Sequence, residues 1–148
     1  MGQTVLEKLH NIAYLQNIEV RKYALPKRMR GLYFEEENFR FITINTDVTS
    51  ASEEVCVMAE EIGHSVVGGG DLLFSDGTDP ILKRKAELRA RHYGYNLVLP
   101  AKFLIQSLTR GMEVWDIAEE YGVTEAFVKE AIAANITKGL ILDLYNYE

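Results

Sequence analysis

Hydrophobic positions recur at helical spacing over residues 3 to 16, where Val5, Leu6, Leu9, Ile12, Ala13 and Leu15 share a face, which predicts a short amphipathic helix. The pattern then changes. From Ile18 to Leu25 β-branched and aromatic residues accumulate until Pro26, and Gly31-Leu32-Tyr33-Phe34 begins a second extended run. A third, Phe39 to Asn45, sets Arg40, Ile42 and Ile44 against Phe41 and Thr43 after the polar turn Glu35-Glu36-Glu37-Asn38, and this reads as a hairpin. Ser50-Ala51-Ser52-Glu53 fits a capping box, the serine hydroxyl accepting from the third backbone amide while the glutamate reaches back. A helix is predicted from there to about Val67, where Gly68-Gly69-Gly70 stops it. The polar stretch from there to Asp79 is long enough to be a lid, although a solvated linker is the plainer explanation.

Asp79-Pro80 opens a further helix that runs to about Leu99, before Pro100. Residues 101 to 109, 113 to 121 and 124 to 134 read as three more helices, and the tail from Gly139 to Glu148 is apolar and aromatic. Strands followed by helices predict an α+β fold with a small antiparallel sheet. The 148 residues contain no repeat and no linker, so one domain is expected, with a core over residues 1–100 and a helical extension over residues 101–148.

Composition narrows the function. A chain that is 47% hydrophobic and 26% charged has the make-up of a folded globule. No apolar run is long enough for a membrane span, and the N-terminus lacks a basic segment followed by an apolar one, so neither membrane nor export is expected. The single Cys56 cannot form an internal disulfide, which points to a reducing, cytoplasmic setting. Sixteen basic against 22 acidic side chains leave a net charge of −6, which opposes phosphate binding. That matters for residues 111 to 135, where Ile117-Ala118, Tyr121-Gly122-Val123-Thr124 and Phe127-Val128 resemble a helix-turn-helix with Thr124 as a cap. Six acids and the single Lys129 in that stretch predict a structural or protein-docking segment, without direct nucleic-acid contact.

The chemistry gathers on the helix that ends at Val67. On a helical wheel Val55, Ala59, Ile62 and Val66 form the buried stripe, with Glu60, Glu61 and His64 on the other side. Glu60 and His64 are four apart and can hold one ion between them. The plainer alternative is a solvated polar face. Two features favour a site. Gly63 weakens a helix interior by about 1 kcal/mol, which suggests that a backbone or ligand approaches closely. The following helix carries a stripe of Ala86, Ala90, Tyr93 and Leu97, small enough at its start to pack on Ala59 and bring Glu87 toward His64. Against this, Lys83 and Arg91 flank Glu87 at four-residue spacing and could pair with it on the surface. His10 and His92 have no identifiable partner and stay outside the site.

The segment Ala59-Glu60-Glu61-Ile62-Gly63-His64 resembles the H-E-x-x-H helix of zinc metallopeptidases. Glu87-x-x-Ala90-x-x-Tyr93-Gly94-x-x-Leu97-Val98-Leu99-Pro100 is similar to the downstream motif of the ImmA/IrrE family. The resemblance spans roughly residues 30 to 135 and includes the Ile42-Thr43-Ile44-Asn45 strand. It implies a small zincin-like α+β peptidase with His64 and Glu87 as metal ligands, Glu61 as general base, and helix-turn-helix repressors as frequent protein substrates. Glu60 stands where the usual motif has its first histidine, as it does in similar phage and prophage members of the family. A carboxylate is an acceptable ligand, so Glu60, His64 and Glu87 form the expected set, with Zn²⁺ first and Mn²⁺ second. Without a cation, three carboxylates around one histidine would repel and take up protons. In the hydrolase reading Glu61 takes the proton of an activated water and passes it to the leaving amine. Tyr33, His92 and Tyr93 are candidates for oxyanion stabilisation, a role the sequence leaves open. The competing class is a degenerate scaffold that binds a repressor without cutting it.

Overall fold

The computed structural model describes residues 2–68 and 79–141. Helix α1 spans Val5–Leu15, followed by strands β1 (Glu19–Tyr23), β2 (Gly31–Glu36) and β3 (Phe39–Asn45). Helix α2 (Ala51–Val67) comes next, then α3 (Pro80–Val98), α4 (Ala101–Thr109), α5 (Val114–Tyr121) and α6 (Glu125–Thr137). The α+β fold and the predicted elements are present, with ends displaced by a few residues. The lid expectation falls on residues 69–78 and the end of the aromatic tail on residues 142–148, outside the described residues. Among those described, no helix is long and apolar enough to cross a membrane.

The sheet is mixed, not antiparallel. Its order is β1-β3-β2, with β3 antiparallel to β2 and parallel to β1, so that Tyr33 and Val20 flank Ile42 on either side. The predicted hairpin is there with a tighter turn: β2 continues through Glu36, and Glu37 takes a left-handed φ of 51° before Asn38. The reason β1 departs from the expectation lies in residues 24–30. The amide of buried Asn45, at the end of β3, donates to the carbonyls of Leu25 and Met29 at 3.1 and 2.8 Å and accepts from the Leu25 N–H at 3.4 Å. This clamp carries the connector across the end of β3, so β2 enters on the far side and β1 is left parallel.

Helix α2 lies on β2 and β3, with α1 beside it and α3 along much of its length. Ser50 caps it, accepting from the Glu53 N–H at 3.2 Å, but the box is only half formed because the Glu53 carboxylate pairs with Arg30 at 3.0 Å. Val55, Ala59 and Ile62 are buried as the wheel implied, whereas Val66 is 44% exposed. Glu61 and His64 are only 7% and 5% exposed, so the solvated-face alternative fails for them. Helix α3 covers the flank that the wheel assigned to water.

That cover depends on two glycines. A Cβ on Gly63 would collide with the Ala90 carbonyl, and one on Gly94 would lie 2.8 Å from the carbonyl oxygen of Ala59. The close approach anticipated at Gly63 is therefore to a backbone. The buried row of α3 steps by four through Ala86, Ala90, Gly94 and Val98, and Tyr93, placed on the stripe by the sequence reading, is exposed. Gly63→Ala is expected to cost about 2–3 kcal/mol through overpacking against backbone that cannot rotate away. A urea melt checks this, and an unchanged midpoint would show that the two helices have room to spare.

At the other end, Gly122 makes a left-handed turn (φ 68°) and Thr124 caps α6 as expected, accepting from the Phe127 N–H at 3.1 Å. Helix α6 packs on α5 and on α3.

Candidate active site

Glu61 sits where β2 begins. Gly31 passes over it so closely that a Cβ there would press on Val57 and lie 3.1 Å from the Glu61 Cγ. The strand, α2 and α3 together form an open cleft of about 410 Å³ bordered by Arg30, Gly31 and Tyr33 from the sheet side, Glu60, Glu61 and His64 from α2, and Glu87 and Arg91 from α3. The ligand atoms of Glu60, Glu61 and His64 all lie within 4.8 Å of one another. Glu87 joins them from the next helix, its Oε2 lying 3.2 Å from His64 Nε2. The structure thus brings the four residues singled out by spacing and resemblance into one place.

Arg91, whose spacing also allows a surface pairing with Glu87, lines the cavity. It does pair with Glu87, Nε to Oε1 at 3.1 Å, and it also reaches Glu60 at 3.5 Å. A Glu–Arg pair four apart looks the same on any helix face, so spacing alone could not place it in the cleft. Of the residues considered for oxyanion stabilisation, Tyr33 is occupied: its hydroxyl accepts from Arg40 at 2.9 Å and donates to Glu35 at 3.2 Å. His92 and Tyr93 border a different hollow, with Arg89 and Lys138. Neither His10 nor His92 lines the cavity of Glu61.

The electrostatics follow from burial. Desolvation, helped by the neighbouring carboxylates and opposed by His64, pushes Glu61 from 4.5 to about 8. Burial and the adjacent Glu87 raise Glu60 to about 7. Burial pulls His64 down, but the carboxylates of Glu87, Glu61 and Glu60 outweigh it, and the imidazole ends above its ordinary value. Glu87, hydrogen-bonded to His64, is lowered to about 2. Burial and mutual crowding thus raise the proton affinity of Glu60 and Glu61, and a cation placed among these carboxyls would relieve the same repulsion. Two carboxylates and an imidazole converging from one helix, with a third carboxylate beside the imidazole, fit a divalent ion.

A Glu-Glu-x-x-His helix packed under a small sheet, with an acidic side chain brought in by the following helix, defines a zincin-like metallopeptidase domain. The sequence profile of the IrrE N-terminal-like domain, Peptidase_M78, matches residues 15–133. The chain belongs to this family, the ImmA/IrrE metallopeptidases, whose members are metal-dependent hydrolases. Among proteins of curated function, none matches the chain.

Proposed function

We propose that this protein is a metal-dependent endopeptidase acting on a repressor-like regulatory protein in the cytoplasm, with Glu61 as general base and Glu60, His64 and Glu87 as metal ligands. The observation that supports it most is the convergence of these residues at the floor of an open cleft. A divalent ion held there supplies Lewis acidity, bringing the pKa of water toward about 7. The chain's own groups do the rest. Glu61, ionised when a cation stands beside it, would take a proton from water and give it to the leaving amine. Among the described residues β2 pairs only with β3, so its outer edge, next to Glu61, is open to an extended peptide adding as a further strand.

A second reading, a scaffold that binds a repressor without cutting it, is favoured by Arg91, which already lies against Glu60 and Glu87 as a cation. Elemental analysis after mild purification separates the two. Near-stoichiometric zinc or manganese, with cleavage of a helix-turn-helix repressor encoded alongside the gene and loss of cleavage in chelator, is the expected result. A metal-free protein that binds this repressor and leaves it intact would establish the scaffold instead.

A further inference from the structure

Helices cover only one side of the sheet. Ile42 and Ile44 of β3 are fully buried on the α2 side, so Phe39, Phe41 and Thr43, which alternate with them, point the other way. Their ladder partners share that side: Glu19 and Phe34 flank Phe41, and Arg21 and Leu32 flank Thr43. Here the rings are left in water, Tyr23, Phe34 and Phe39 being 59%, 43% and 63% exposed. They are also ordered. Phe39 and Phe41 stack with planes 8° apart, and the Arg21 guanidinium lies 4.3 Å from the Phe41 centroid and 5.3 Å from that of Tyr23. Side chains already held against one another lose little freedom when a partner arrives.

We propose that this aromatic face is where two copies of the chain associate, sheet against sheet, about a twofold axis. Three observations carry it. The three exposed rings, bridged by Phe41 and Leu32, leave about 300 Å² of apolar surface in water, a patch of the size that marks an interaction site on a soluble protein. The face holds a single cation, Arg21, already stacked on rings, with the acids Glu19 and Glu36 beside them, so a nucleic-acid backbone or an anionic lipid surface finds no row of cations. The register, finally, makes the face complementary to itself. With the axis running across the strands between the row of Phe41 and the row of Thr43, each row meets the other in the partner. Glu19 then faces the partner's Arg21 and Phe34 faces the partner's Leu32, each contact made twice. Within the chain, among the described residues, no salt bridge engages Glu19 or Arg21, so the pairing breaks none. Three strands of this length meeting face to face bury about 1,000 Å² in all, the small end of specific interfaces, which sets a dissociation constant of about 10 µM. The cleft of Glu61 lies on the α2 side of the sheet and stays open, so the inference stands apart from the endopeptidase reading and is tested without substrate.

Sedimentation equilibrium of the full chain from about 1 to 200 µM measures the association, and a reversible monomer–dimer equilibrium is the expected result. Phe34→Lys sets an ammonium against the partner's Leu32 and should weaken the dimer at least about tenfold, whereas Trp115→Lys, at an exposed ring of α5, should leave it unchanged. Glu19→Arg sets guanidinium against guanidinium and should weaken it about tenfold; adding Arg21→Glu restores the pairs with their signs exchanged and should recover most of that loss. The substituted positions are all exposed, so the fold is expected to be kept, and circular dichroism checks it. A chain that stays monomeric at about 200 µM would overturn the proposal, and binding of a labelled oligothymidylate by that monomer would assign the rings to nucleic-acid bases instead. A dimer that Phe34→Lys leaves intact would overturn it as well, and a charge exchange that recovers nothing would remove the twofold arrangement through Glu19 and Arg21.

Discussion

Glu61→Gln is expected to lower kcat/KM for peptide hydrolysis about a thousandfold, the contribution of a positioned general base, while leaving the fold and the metal content intact. Glutamine has the shape of glutamate and fills the same wedge between Gly31 and α2, so the packing of β2 over the site is unchanged. It cannot accept a proton from water. The carboxylate it replaces is buried and holds a proton up to about pH 8, so removing the charge relieves a desolvation cost in the metal-free protein. The variant should therefore melt no lower than the parent at pH 8 without metal. Cleavage of a quenched fluorescent peptide, circular dichroism and elemental analysis on the same preparation test all three parts. A rate within tenfold of the parent, with metal still bound, would remove Glu61 from its role.

How much of this site was legible beforehand depends on which contacts are local. The four-residue step from Glu60 to His64 and the apolar stripe of Val55, Ala59 and Ile62 are properties of one helix, and the periodicity shows them. Bringing in Glu87 takes two helices, yet here the pattern still gave a sign: Gly63 and Ala90 are small where small residues allow backbones to touch, and these two do touch. The wheel divided α2 into an inside and an outside, and that division failed because a helix between a sheet and another helix has two insides. Glu61 and His64 are buried for that reason. The parallel pairing of β1 was invisible because it is decided by Asn45, a residue distant in sequence from the connector it clamps. Likewise Glu53 abandons its capping role for Arg30, a partner that only the tertiary fold supplies.

Metal-free protein is expected to be most stable near pH 5 and to lose about 10 °C in Tm by pH 8, since about 1 kcal/mol is worth about 2–4 °C in a domain of this size. Glu61 dominates. The folded protein keeps its proton to about pH 8, whereas the unfolded chain releases it near the ordinary 4.5, so between those values the folded state binds more protons and rising pH favours unfolding. Half-exposed Glu60, raised to about 7, acts in the same direction but is screened by water. His64 adds to the slope: its raised pKa stabilises the fold below the ordinary 6.5, and that contribution is lost as pH climbs through the folded value. Glu87 bounds the acid side, because a carboxyl lowered to about 2 stabilises above 4.5 and loses that effect as pH falls. A divalent ion reverses the alkaline loss by taking the place of the protons, so zinc should raise Tm far more at pH 8 than at pH 5. Differential scanning calorimetry with and without zinc at the two pH values measures both slopes. A metal-free Tm that stays level from pH 5 to pH 8, or an equal zinc effect at both, would mean that these carboxyls do not hold protons in competition with a cation, and the ligand assignment of Glu60, His64 and Glu87 would lose its electrostatic basis.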